Sequence, residues 1–250
     1  MEELTYKLKS IRLSGMTQKL NIRIHEATAN ELSYPEFLNN LVDDELTVRR
    51  DRLLNRRLKQ AKFPYQKTID DFDFGFNPSI NRQQIKKLAA TAFVAQNQNI
   101  LLIGPPGVGK THLSVAFAIE AIQKGFSVLY RSVFDIAVDV AKNQFDLIDS
   151  YLKPQLLIID ELGMKNLAHS ANEILLEIVH RRYQKASTII ATNRPIEDWG
   201  KIFGDNATAS AILDRFLENV NLVKITGKSF RLKNIHNQIE KKIDLKEQNH

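Results

Sequence analysis

A chain of 250 residues is long enough for one large domain or two smaller ones. With no cysteine, it excludes disulfides, thiolate chemistry and Cys-based zinc sites. The apolar fraction of 43% and charged fraction of 26% suit a folded soluble protein, and the net charge of +6 with pI near 9.4 favours a polyanionic partner. No apolar run approaches a membrane span. The start, Met1-Glu-Glu-Leu-Thr-Tyr, has no apolar signal core, so no export is expected and the expected location is cytoplasmic.

Residues 1–62 read as a small all-α domain. Leu4, Leu8, Ile11 and Leu13, then Leu20, Ile22 and Ile24, recur at spacings that build apolar helix faces. Ser33-Tyr-Pro-Glu36 reads as a helix start, with Ser33 and Glu36 spaced as a capping box and Pro35 suited to the first turn. Nothing breaks that helix before about Ala61, and Pro64 stops it. Between Arg49 and Lys62 stand seven basic residues and one acid, Asp51. Residues 63–82 connect, and their Phe72, Phe74 and Phe76 are expected to lie across the following domain. A helix is expected over 79–96.

From there strands and helices alternate: strands over 99–103, 127–130, 156–159, 188–191 and 222–225, helices over 108–124, 133–143, 171–184 and 209–217. Fully apolar strands alternating with helices imply an α/β fold with a buried parallel sheet of five strands, flanked by helices. This domain is set at 63–235, and a polar tail, 236–250, is expected to fray.

Four motifs carry the chemistry. The first is Gly104-Pro105-Pro106-Gly107-Val108-Gly109-Lys110-Thr111, an ungapped G-x-x-x-x-G-K-[ST] between an apolar strand and a helix. That context makes a phosphate site, because backbone N–H groups and the positive end of the helix face one anion. Lys110 is expected on the β- and γ-phosphates and the Thr111 hydroxyl on Mg²⁺; His112, next in line, is counted with Gly104 to Thr111 among the nucleotide-binding residues, in a structural rather than a catalytic role. The second is Leu156-Leu-Ile-Ile-Asp160-Glu161, a central strand with two carboxylates at its C-terminal tip, where ligands bind in such sheets. Asp160 is the expected Mg²⁺ ligand and Glu161 the general base for an attacking water.

The third is Asn193, at the end of the apolar run from Thr188. It can bond the γ-phosphate or the water, or simply form a turn before Pro195. The fourth is Arg215 in Ile212-Leu-Asp-Arg215-Phe-Leu, able to project into a neighbour's site as a finger, or to pair with Asp214 or Glu218 on the surface.

In this order the four elements resemble Walker A, Walker B, sensor 1 and the arginine-finger helix of the AAA+ ATPases, in the initiator and helicase-loader clade. More narrowly, the chain resembles the IstB-type helper ATPases of insertion sequences. That resemblance spans Leu13-Ser-Gly-Met16, Leu32–Leu38, Arg57–Pro64, Lys67–Phe74, Gly109–Leu113, Asn193–Trp199, Ala211–Phe216 and Gly227–Leu232. It implies an AAA+ core behind a helical N-terminal domain, ATP and Mg²⁺ as cofactors, ATP hydrolysis, homo-oligomeric assembly on double-stranded DNA, and a partner transposase. It also implies that Lys67–Phe74 frames the adenine. Arg231 stands where a second sensing arginine acts, but the chain beyond it is short for a full C-terminal helical lid.

The stripe Arg49, Arg50, Arg52, Arg56, Arg57 and Lys59 is the DNA candidate. Helical spacing puts Arg49, Arg52 and Arg56 on one side, for sequence-blind phosphate contacts; a solvated basic face is the competing reading. A second basic group, His180–Lys185, ends a helix, where cations suit the dipole, or reaches across a subunit interface through Arg181 or Arg182. Trp199 reads as a packing residue. Two other functions fit these residues: a DnaC-type loader of a replicative helicase on single-stranded DNA, and an ATP-gated DNA scaffold with incidental hydrolysis.

Overall fold

The structure, a computed structural model, describes residues 1–142, 147–164, 167–203, 207–230 and 232. Arg231, the tail 236–250 and the expected helix end at Asn143 lie outside the described residues. The chain divides into two compact units, Met1–Arg57 and the chain from Leu58 onward. No helix among the described residues is long and apolar enough to cross a membrane.

The first unit holds α1 (Glu2–Ser10), α2 (Ser14–Ala29) and most of α3 (Tyr34–Gln60). Pro35 sits in the first turn of α3, where its missing N–H costs no hydrogen bond. Only the reverse half of the expected capping box forms: the Glu36 carboxylate accepts from the Ser33 N–H at 2.9 Å and from its hydroxyl at 2.6 Å. The packing of α2 on α3 turns on Glu45, which is 4% exposed. Its carboxylate accepts from the Gly15 N–H (2.6 Å), the Met16 N–H (3.3 Å) and Arg49 Nε (2.7 Å). It thereby satisfies donors that the first turn of α2 would otherwise leave unpaired. Burial opposes its charge, but Arg49 and the two N–H groups prevail and hold its pKa below the usual range. At Gly15 a Cβ would lie 2.6 Å from Glu45 Cα, so only glycine lets the helices come this close.

The second unit is built on β1 (Asn99–Ile103), β2 (Val128–Ser132), β3 (Leu156–Leu162), β4 (Ser187–Thr192) and β5 (Val220–Lys224), all parallel, in the order β2-β3-β4-β1-β5. The expected five-stranded α/β sheet is therefore the sheet found. Around it lie α4 (Arg82–Ala89), α5 (Ala92–Ala95), α6 (Lys110–Gln123), α7 (Val133–Ala141), α8 (Leu147–Leu152), α9 (His169–Arg182), α10 (Trp199–Phe203) and α11 (Ala207–Glu218). Leu101, Leu157, Ile159 and Ile190 share one core with α7, α9, α10 and α11. The alternate residues Ile100, Leu102 and Ile158 are buried as completely, and α6 packs on β1 to β4. Burial on both faces is what makes these strands read as unbroken apolar runs.

The helix expected over 79–96 is two helices. Asn81 caps α4 by accepting from the Gln83 and Gln84 N–H groups, and Thr91 breaks the run in a left-handed conformation at φ 61°. Arg182 does not face a neighbour: it is 2% exposed and its guanidinium donates to the carbonyls of Tyr151 (2.8 Å), Pro154 (2.8 Å) and Ser187 (2.6 Å). Burial pulls its pKa down to about 10. Trp199, 1% exposed, packs against Phe203 and Phe216.

Candidate active site

The turn from β1 into α6 carries the first motif. Val108 is 1% exposed and anchors the loop in the core. Gly109 precedes α6 at φ 106°, and a Cβ there would lie 2.6 Å from the Phe72 ring, so conformation and packing both require glycine. Lys110 opens α6, and its Nζ donates to the carbonyls of Gly104 (2.7 Å) and Pro105 (2.8 Å). A lysine held over the loop's own carbonyls is close to any anion that the loop's N–H groups collect.

The tip of β3 is irregular in a way that its sequence does not display. Ile159 pairs with Ile190 and Leu162 with Thr192, so Asp160 and Glu161 together oppose Ala191 alone. This is a bulge, with Glu161 in the left-handed region at φ 64°. Asp160 is 1% exposed; its Oδ1 accepts from the Glu161 N–H at 2.7 Å and its Oδ2 from the Tyr130 hydroxyl at 2.9 Å. Burial, then the Asp160 charge, push the Tyr130 pKa up, so the phenol remains a donor. At the tip of β4 the Thr192 hydroxyl donates to the Leu162 carbonyl (2.8 Å) and accepts from the Arg194 N–H (3.0 Å). Asn193 Nδ2 donates to Met164 Sδ at 3.4 Å, and its Oδ1 is buried with no partner among the described residues.

These tips border one cleft of about 990 Å³, open solvent at its mouth included. Pro106 to His112, Asp160, Glu161 and Asn193 line it. Gly104 and Pro105, the first two residues of the motif, do not line it; their carbonyls accept from Lys110. Arg215 does not line the cleft: it lies exposed on α11, with its guanidinium 3.2 Å from His180 Nδ1 and over the Tyr183 ring at 6.0 Å. Neither Asp214 nor Glu218 is its ion-pair partner among the described residues, and Glu218 accepts from the Tyr183 hydroxyl instead.

Phe72, Phe76 and Asn77 of the aromatic connector line the same cleft. Phe72 packs edge-on against His112 and tilts against Phe74, and Phe76 meets Phe230 edge-on at 5.1 Å. His112 Nε2 donates to the Thr68 carbonyl at 2.8 Å. Asn77, 3% exposed, donates from Nδ2 to the Val108 carbonyl at 3.0 Å, while its Oδ1 is buried without a partner among the described residues. Sequence reasoning passed over Tyr130, Asn77 and Phe230. The aromatic cluster 72–76 could have pointed to Asn77, and Phe230 lies in the Gly227–Leu232 segment of the family likeness, but nothing local points to Tyr130.

The residues fit a nucleoside triphosphate. Left-handed glycines, a helix N-terminus and Lys110 suit phosphates, and two orphaned amide oxygens are ready to accept. They fit Mg²⁺ as well: Thr111 and Asp160 supply hard oxygens. No group of three or more His, Asp or Glu that could hold a metal occurs among the described residues, so the ion would complete its shell with phosphate and water.

The basic stripe lies on α3. Arg49 is exposed but tied to Glu45, so part of its role is internal. Arg50, Arg52, Arg56 and Lys59 are exposed and Arg57 is half-buried; none has an ion pair among the described residues.

A family model described as IstB-like ATP binding protein matches residues 6–238. The chain is 36% identical over 238 residues to a Pseudomonas aeruginosa protein of insertion sequence IS21, named as an ATP-binding protein. That alignment covers 93% of this chain and 90% of the relative. It is 34% identical over 239 residues to the corresponding IS5376 protein of Geobacillus stearothermophilus, covering 94% and 95%. Among solved structures, DnaI superposes with a TM-score of 0.54 at 21% identity, over 65% of this chain and 89% of that one. AMPPCP-bound DnaA from Aquifex aeolicus also gives 0.54, at 23% identity, over 72% and 56%. These two likenesses carry the fold, a P-loop core of the AAA+ type.

Proposed function

Because the chain belongs to the IstB-like ATP-binding protein family, we propose that it is the ATP-driven helper of an insertion sequence: it binds ATP with Mg²⁺, hydrolyses it, assembles as a homo-oligomer on double-stranded DNA and engages a transposase. The observation that carries this reading is the meeting of Lys110, Thr111, Asp160, Glu161 and Asn193 around one cleft from three separate strand ends.

In it, the loop N–H groups and Lys110 hold the triphosphate. Thr111 and Asp160 would hold Mg²⁺, which when bound would supply charge neutralisation at the reacting phosphate. Glu161 takes the proton of the attacking water, Asn193 orients it, and Arg215 of an adjoining copy completes the site. The exposed arginines of α3 support the DNA arm, and insertion-sequence relatives support the transposase arm.

The test follows ATPase rate and assembly on duplex and single-stranded DNA. Glu161→Gln is expected to lower turnover by roughly 10²–10⁴-fold yet still assemble on duplex with ATP. Lys110→Ala is expected to lose both. Undiminished ATP-dependent assembly by Lys110→Ala would sink the link between nucleotide and DNA, and a preference for single strands would favour helicase loading.

A further inference from the structure

Among the described residues, Asp160 is the one acidic side chain of the cleft that is almost wholly buried, and one of its carboxylate oxygens is held from a different strand. Tyr130 lies on β2, whose register pairs Tyr130 with Ile158 and Ser132 with Asp160. Its hydroxyl reaches Asp160 Oδ2 at 2.9 Å, and the residue is 7% exposed. From its main chain, the Tyr130 N–H donates at 2.8 Å to the carbonyl of Ala61, itself fully buried. β2 is an edge strand of the sheet, so this bond fixes Tyr130 from the side away from β3. The residue is thus held at both ends, by main chain and by hydroxyl.

A carboxylate on a short side chain can rotate about its terminal torsion, which is broad. Asp160 cannot do so without giving up the Tyr130 hydroxyl or the Glu161 N–H. Each oxygen gives one acceptor site to these donors and keeps at least one more for a cation. We propose that Tyr130 is a positioning residue that orients the Asp160 carboxylate and so sets the divalent-cation affinity of the cleft. This rests on the reading of Asp160 as a Mg²⁺ ligand. Donors behind a ligating carboxylate characteristically tune metal affinity by about 10–100-fold.

The test uses the full chain with a non-hydrolysable ATP analogue and Mn²⁺, whose binding is read by electron paramagnetic resonance. Tyr130→Phe keeps the ring and removes only the hydroxyl. It is expected to weaken Mn²⁺ binding about tenfold, while affinity for the analogue in EDTA is unchanged. In an Asp160→Asn background the same change is expected to have no further effect on Mn²⁺. Thermal unfolding in EDTA checks the fold, because a purely structural tyrosine would lower the melting midpoint and leave Mn²⁺ affinity alone. Equal Mn²⁺ affinity in wild type and Tyr130→Phe would overturn the proposal, as would an equal loss with and without Asp160. A wild type that held Mn²⁺ no better than Asp160→Asn would sink the assignment of Asp160 as ligand, and this proposal with it.

Discussion

His112 shows how the residue that follows the phosphate motif ties it to the aromatic connector. Its ring is half-buried, gives its Nε2–H to the Thr68 carbonyl and meets Phe72 edge-on. Burial holds its pKa below the ordinary histidine value, which is about 6.5. The folded chain therefore resists a proton that the unfolded chain takes up. The contribution to stability is complete above about pH 6.5 and is lost as pH falls from there through the folded pKa. An NMR titration should place the His112 midpoint below 6.5, and His112→Gln should flatten the fall in melting temperature below that pH. A midpoint above 6.5 would contradict this account. The residue type and position were legible in the sequence, and so was a structural role. The partner was not, because Thr68 lies 44 residues away in a segment without regular structure.

At the scale of elements, legibility followed how local the cause is. The long helix α3 was readable to within a residue or so because its start and stop are set by Ser33, Pro35 and Pro64. The central strands β1, β3 and β4 were readable because they are apolar on both faces; β5, at the sheet edge, was readable from its run of Leu222, Val223 and Ile225. The break between α4 and α5 was not, since it rests on the backbone of Thr91, and threonine carries no signal for a positive φ. Nor were α8 and α10, six and five residues long, too short to display a period. Leu13-Ser-Gly-Met16 stood out only as part of a family likeness; the reason for its glycine is the close passage of Glu45, set 30 residues further along. The bulge in β3 belongs with these cases. Asp160 and Glu161 were legible as carboxylates at a strand tip, but their unequal settings were not: one is buried and doubly bonded, the other left-handed.

For the whole molecule, the telling residue is the one the cleft leaves out. Lys110, Thr111, Asp160, Glu161 and Asn193 gather within one chain, and Arg215 does not join them. A finger acting between copies would be placed in this way. On the proposed reading, Arg215→Ala and Lys110→Ala are each inactive alone for different reasons. Mixing them should restore part of the ATPase rate, because one class of interface then combines an intact cleft with an intact arginine. The mixture is measured at several ratios with co-assembly verified. No recovery at any ratio would count against Arg215 as the finger. His180 and Tyr183, which hold Arg215 in the free chain, were visible in the sequence only as a basic helix end. Their role depends on α9 and α11 packing together, which no local pattern encodes.

The left-handed backbone at Glu161 has a further consequence, in the balance between durability and chemistry. An L-residue other than glycine, asparagine or aspartate sits there at a cost of roughly 1–2 kcal/mol, and here it also places a second carboxylate directly after Asp160. Natural selection for stability alone would favour glycine at this position. Glu161→Gly should therefore unfold at a higher temperature, by the equivalent of a few tenths to about 1 kcal/mol after the added freedom of the unfolded chain is counted, while losing ATP turnover. Calorimetry of the nucleotide-free protein decides it, and a lower melting temperature would show that the glutamate is favoured by the fold itself. If the rise is found together with the loss of turnover, position 161 is one where robustness is given up for the hydrolysis proposed above.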